Sequence, residues 1–122
     1  WLNKLDDAIL GTWVAHGEGR FMFENNTNNY ICMRYVDQQG NSTQKYPFNP
    51  NGSEYGCAAV TNETGNHLAM MPHPERTFLT WQHPDFPYYN CSTSSFNNLL
   101  PYNNYQSPWF RLFKNAYHHC IQ

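Results

Sequence analysis

Eight prolines decide where regular structure can form in this chain of 122 residues. Proline fixes its own φ, removes a backbone donor and biases the preceding residue away from the helix. Five of the eight lie between Pro72 and Pro101. The stretch Phe78 to Ser107, rich also in Asn, Tyr and Ser, therefore reads as a long loop pinned by Trp81 and a few other aromatics. Pro47 and Pro50, with Gly52, make Pro47 to Gly52 irregular. Pro108 alone stands where proline helps, after a Ser107 N-cap and at the first helical position. Trp109, Leu112, Phe113 and Ala116 then fall at i, i+3, i+4 and i+7, which predicts a helix running to about His119 with one apolar face.

Ahead of the prolines the periodicity is that of strands. YICMRYV, from Tyr30 to Val36, is the strongest, and a polar turn from Asp37 to Asn41 follows it. Cys57 to Val60 and His67 to Met71 read as the two arms of a hairpin, joined by the turn sequence NETGN at Asn62 to Asn66. Thr12 to Phe23 reads as a further strand entering a Gly-bearing turn, and Leu2 to Leu10 as a short helix. Two helices are too few to cover both faces of a parallel sheet. The chain is therefore either a small β-rich domain or part of an α/β domain whose helices lie upstream. There is no internal repeat and no sign of a second domain.

Bulk composition narrows the function classes. Charged residues make up 13% and the net charge is -2, which argues against a nucleic-acid or anionic-membrane surface. No run approaches the roughly 18 apolar residues of a membrane span, and the first residues show no basic-then-apolar leader. The chain starts at Trp1, which suggests a processed product or a fragment. Cys32, Cys57, Cys91 and Cys120 form no close pair, so neither a disulfide framework nor a zinc site is expected. His118, His119 and Cys120 adjoin but lack a second ligand pair, so no metal site is expected there either. Asn-x-Ser/Thr sequons at Asn25, Asn41, Asn51, Asn62 and Asn90 fit a secreted glycoprotein, although a chain so rich in Asn generates sequons by adjacency alone.

Three segments could carry chemistry. In His73-Pro74-Glu75 an extended backbone puts side chains two apart on one side, so Glu75 can reach a ring nitrogen of His73. Pro72 and Pro74 stiffen the pair. A general base with its orienting acid needs that arrangement, because the carboxylate takes one ring N–H and leaves the other nitrogen as the base. On spacing alone, a proline-rich turn with an exposed histidine is the commoner explanation. AHGEGRF, from Ala15 to Phe21, places His16, Gly17, Glu18, Gly19 and Arg20 at a strand end, where the glycines permit close approach to a ligand or a plain turn. It lacks the third glycine and following helix of a dinucleotide site. YPFNPNGS, from Tyr46 to Ser53, reads as a rigid loop crowded with hydrogen-bonding groups, or as a stack of Asx turns.

These segments together resemble a known family. AHGEGRF, RYVDQQGNSTQKYPFNPNGS, HLAMMPHPERTFLTWQ and SPWFRLFKNA occur in that order in the C-terminal, class I (triad) glutamine amidotransferase domain of the phosphoribosylformylglycinamidine synthase family, in its large single-chain form. The resemblance runs from about Leu5 to Ala116. It implies an α/β fold, the C-terminal part of a flavodoxin-like glutaminase domain, incomplete without upstream strands and helices. It also implies that His73 and Glu75 are catalytic, completing a triad with a cysteine nucleophile, and that His16 to Arg20 line the glutamine site.

The implied reaction supplies ammonia from L-glutamine for ATP-dependent conversion of formylglycinamide ribonucleotide to formylglycinamidine ribonucleotide in cytoplasmic purine biosynthesis. ATP and Mg would serve the synthase domain of the whole enzyme, and this segment would bind no cofactor. The implied partner of this segment is the upstream remainder of the same polypeptide. The sequence departs from the family in three places. No cysteine lies in a G-x-C-x-G elbow; Cys57 is nearest, but a strand rather than a helix follows it. The nucleophile is expected upstream of Ala15. The stretch from His83 to Gln106 matches weakly, and His118-His119-Cys120 replaces an aromatic ending.

Two other readings stand beside this one: a diverged, non-catalytic amidotransferase-like module, and a secreted, disulfide-bonded glycoprotein. Thiol titration under denaturing, non-reducing conditions separates the last from the others. Four free thiols are expected, and two disulfides would favour the secreted protein.

Overall fold

The computed structural model describes residues 1–15, 17–24, 27–84 and 106–121, and these fall into two compact units. One comprises Val14–Pro72, the other Trp1–Trp13 with His73–Gln122.

The first unit is built on a three-stranded antiparallel sheet in the order β1-β2-β3, with β1 Ile31–Arg34, β2 Cys57–Thr61 and β3 Leu68–Met70. The β2–β3 hairpin pairs Ala59 with Met70, Val60 with Ala69 and Thr61 with Leu68. Its turn forms because Asn62 is bonded twice over: its N–H donates to the His67 carbonyl at 3.3 Å and its Oδ1 accepts from His67 N at 3.0 Å. Gly65 supplies the left-handed residue at φ +72°. The β1–β2 register is irregular in its middle: Ile31 pairs with Val60 and Arg34 with Cys57, but Met33 pairs with Ala59, one residue out of step. Small residues at Cys57, Ala58 and Ala59 are buried in the centre of the sheet. The turn after β1 also forms as expected, with Asp37 Oδ1 accepting from the N–H groups of Gln39 and Asn41 at 3.0 and 2.9 Å.

The second unit holds the helix α1, Phe110–Cys120. The expected Ser107 start is displaced. Ser107 and Pro108 form a tighter opening turn, in which Phe110 N donates to Ser107 O at 3.0 Å and Arg111 N to Pro108 O at 3.0 Å. Ser107 Oγ still caps that turn by accepting from Trp109 N at 3.2 Å. Of the expected apolar face, Trp109 and Leu112 are buried, while Phe113 lies at the margin against Phe78, with ring centroids 6.3 Å apart. The N-terminal segment lies against this helix. Trp109 Nε1 donates to Gly11 O at 2.8 Å, and Asn115 Nδ2 donates to the carbonyls of Trp1 and Asn3 at 2.8 Å each.

Two expected elements are absent. Leu2 to Leu10 is not a helix but a pair of successive turns, because Lys4 and Asp7 take left-handed φ values of 65° and 57° that a right-handed helix excludes. The described residues of Thr12 to Phe23 form no strand; the backbone of residues 19–23 meets three side chains and one backbone N–H of residues 51–54 rather than a neighbouring strand. Trp81 is 62% exposed, and residues 85–105 of the loop it is expected to pin lie outside the described part of the chain.

Gly56 is a close backbone approach in the first unit. A Cβ there would meet Ser42 Oγ at 2.6 Å and Thr43 O at 2.9 Å, and its φ of +68° is itself unfavourable for other residues. Gly65 shares the positive φ but has open space around it. Gly56→Ala should therefore destabilise this unit by about 2–3 kcal/mol and Gly65→Ala by about 1 kcal/mol. Urea midpoints from pulse proteolysis of the intact polypeptide would read the difference, and equal shifts would contradict the steric account.

Candidate functional site

His73 follows β3 by three positions in the chain and leads into a single 3-10 turn, Pro74–Arg76. Arg76 N donates back to His73 O at 3.0 Å, and Thr77 N donates to Pro74 O at 3.0 Å. Pro72, Pro74 and Thr77 are buried while His73 and Glu75 are not, so the clamp is anchored and the polar pair is presented. A second tie holds the turn from below: the buried Ser107 hydroxyl donates to Thr77 O.

His73 Nδ1 and Glu75 Oε1 lie 2.6 Å apart. The proximity expected from the i, i+2 spacing is present, but its cause differs. An extended backbone does not continue through Glu75; the 3-10 turn curls the glutamate back toward the ring. With Nδ1–H donating to the carboxylate, a neutral His73 carries its free lone pair on Nε2, which has no partner among the described residues. Partial desolvation raises the Glu75 pKa, but the His73 hydrogen bond, its own backbone N–H and the nearby His73 and Arg76 charges outweigh it. The carboxyl is held below the ordinary glutamate range. Glu75 is therefore ionised at neutral pH.

The Gly-bearing segment belongs to the other unit. His16 lies outside the described residues; Gly17, Glu18 and Arg20 are exposed and Gly19 is half-buried. The loop of the third motif meets this segment. Asn51 Nδ2 donates to Gly19 O at 2.8 Å, Ser53 Oγ accepts from Phe21 N at 3.0 Å, and Glu54 Oε2 accepts from Phe23 N at 3.0 Å. Sequence reasoning had marked Asn49, Asn51 and Ser53 as a hydrogen-bonding loop without finding what they hold, and it missed Glu54. Nothing local reveals a partner some 30 residues away.

Cys57 is unsuited to nucleophilic work. It is buried at the start of β2, and burial, with a smaller push from Cys32, raises its thiol to about 11, the wrong direction for a thiolate. Cys32, Cys57 and Cys120 are free thiols, while Cys91 lies outside the described residues. The side-chain nitrogen of Asn51, which glycosylation would modify, is already engaged with Gly19. Among the described residues no three His, Cys, Asp or Glu side chains converge as metal ligands, and no helix is long and apolar enough to cross a membrane.

The chain matches the CobB/CobQ-like glutamine amidotransferase domain family over residues 1–120. It is 40% identical to the phosphoribosylformylglycinamidine synthase of Dictyostelium discoideum over 98% of its own length, 41% identical to that of Drosophila melanogaster over 99%, and 37% identical to that of Homo sapiens over 94%. It spans only 9%, 9% and 8% of those three proteins. With its histidine–glutamate pair on a proline clamp and its match over nearly every residue, the chain belongs to the glutamine amidotransferase domain family found in phosphoribosylformylglycinamidine synthases.

Proposed function

We propose that this chain is the C-terminal portion, residues 1–122, of a glutaminase domain that feeds ammonia to a phosphoribosylformylglycinamidine synthase. The observation that carries the reading is the 2.6 Å contact between His73 Nδ1 and Glu75 Oε1, which leaves Nε2 as a base. The upstream remainder of the polypeptide supplies the cysteine nucleophile, the oxyanion donors and the rest of a flavodoxin-like sheet. The exposed large side chains of Ile9, Trp13, Met22 and Tyr46 are consistent with surfaces that such a remainder covers.

In this reading Nε2 of His73 takes the cysteine proton as sulfur attacks the side-chain carbonyl of L-glutamine. The same proton passes to the leaving nitrogen as the C–N bond breaks, releasing ammonia and a glutamyl thioester. Water then attacks the thioester, His73 accepts its proton and returns it to sulfur, and glutamate leaves. Glu75 keeps the ring in the working tautomer and stabilises the imidazolium without becoming protonated. His16, Gly17, Glu18, Gly19 and Arg20 bind the glutamine. The ammonia replaces the carbonyl oxygen of formylglycinamide ribonucleotide in the synthase domain, in the cytoplasm. ATP and Mg act in that domain.

Three outcomes test this reading. The isolated chain should release no glutamate from glutamine, because in this reading the nucleophile belongs to the upstream polypeptide; turnover above buffer background in purified chain would contradict the assignment. In the full-length protein His73→Ala should abolish glutamine-dependent synthesis and spare synthesis from added ammonia. Glu75→Gln should lose less, roughly ten- to a thousandfold or about 1.4 to 4 kcal/mol, since a cysteine depends on its base less than a serine does. Wild-type glutamine hydrolysis in Glu75→Gln, with His73→Ala inactive, would remove Glu75 from the site.

The lowered carboxyl predicts a pH signature. A depressed folded-state value means that the contribution of the pair is complete above the ordinary glutamate value and is lost as pH falls through the folded one. Carbon-13 NMR of δ-labelled glutamate, with Glu75→Gln to assign the resonance, should show Glu75 titrating below the ordinary range. Titration at or above that range would contradict the contact.

A further inference from the structure

The loop Asn49 to Ser53 is the most fully bonded polar cluster in the first unit, and the chemistry above does not use it. Asn49 is 1% exposed and Ser53 0% exposed. The Asn49 amide is nearly saturated: Nδ2 donates to Thr43 O at 3.2 Å and to Ser53 O at 2.9 Å, and Oδ1 accepts from Ser53 N at 3.2 Å. Asn51 Oδ1 accepts from Ser53 N at 3.1 Å and from Ser53 Oγ at 2.8 Å, which fixes the orientation of the Asn51 amide. Its Nδ2 is thereby aimed outward at Gly19 O, 2.8 Å away. Ser53 Oγ, with its proton committed to Asn51, can only accept from Phe21 N.

Beyond the loop, Glu54 N donates to Phe21 O at 3.3 Å and Glu54 Oε2 accepts from Phe23 N. Gly19 O, Phe21 N, Phe21 O and Phe23 N are thus all taken by residues 51–54, and three of the four bonds use side chains. A strand partner would hold the segment through uniform backbone pairing. Here the Gly19–Phe21 stretch is held by one amide, one hydroxyl and a single backbone N–H.

We propose that Asn51 and Ser53 are positioning residues for glutamine, holding the Gly19–Phe21 backbone so that Glu18 and Arg20 present their side chains correctly. The proposal rests on the reading that residues 16–20 bind the glutamine. Neither Asn51 nor Ser53 touches the substrate or the proton transfers. Their loss therefore raises KM for glutamine and leaves the ammonia reaction intact.

The test uses the full-length protein with L-glutamine and, separately, ammonium. Asn51→Asp keeps the shape but turns a carboxylate oxygen toward Gly19 O. It should raise KM for glutamine ten- to a hundredfold, change kcat less than about threefold, and leave ammonia-dependent kcat/KM at wild type. Ser53→Ala should shift KM in the same direction. Hydrogen exchange should quicken in the peptide spanning residues 18–23 in both variants and stay unchanged in α1. Unchanged KM in Asn51→Asp would overturn the proposal, as would an equal fall with both nitrogen sources. If both variants fail to fold, the loop is a folding element and the positioning role is overturned too. Glu18→Gln and Arg20→Ala separate the two layers. If they raise KM for glutamine and Asn51→Asp does not, only the positioning role fails. If they leave KM unchanged, the binding role of the segment fails and takes this proposal with it.

Discussion

Burial of the Asn49 amide is the constraint on which the first unit depends. An unpaired amide in a dry environment costs about 1–3 kcal/mol, so the chain must bring three backbone groups to it. Those groups are the Thr43 carbonyl and the N–H and carbonyl of Ser53, and meeting them closes the loop on itself. Closure delivers Asn51, Ser53 and Glu54 to the backbone of residues 19–23. Phe21, Phe23 and Tyr55 continue the contact as an aromatic row, with neighbouring ring centroids 6.3 and 5.8 Å apart. An irregular loop thus does what a sheet edge would otherwise do, and it does so with groups that have one geometry each. Such a network tolerates little substitution, because removing any member strands a buried partner.

The histidine–glutamate pair follows a different economy of order. Its side chains are exposed enough to meet a substrate, so burial cannot hold them. Rigidity comes instead from the backbone: buried prolines on both sides of His73, a closed 3-10 turn, and the tie from Ser107. Ser107 sits where α1 begins, so the residue that opens the helix also fixes the turn bearing the histidine–glutamate pair. A half-exposed pair gains little stability from its Coulomb attraction. What it gains is an assigned tautomer, which is the property a general base needs.

Much of the regular structure was legible in the residues. The β2–β3 hairpin and its NETGN turn, the strand at Ile31–Arg34 and the C-terminal helix all arise from interactions within a few residues, which period and turn chemistry encode directly. The nearness of His73 and Glu75 was equally local. The ordered motifs also marked the family, because four segments in one order carry more information than any single spacing.

Tertiary structure alone decided the rest. Leu2 to Leu10 has helical apolar spacing, yet its backbone turns twice, and the carbonyls of Asn3 and of the preceding Trp1 are taken by Asn115, more than a hundred residues on. Thr12 to Phe23 reads as a strand, yet the partners of residues 19–23 are the side chains and one backbone N–H of a loop rather than another strand. In both cases the sequence determined which groups needed partners and left open which partners would come, because a backbone donor or acceptor is chemically the same at every position. The same division holds at the candidate site. The residues specified a histidine with a carboxylate two positions on, stiffened by prolines; the fold decided that a 3-10 turn rather than an extended strand would bring Nδ1 and Oε1 together.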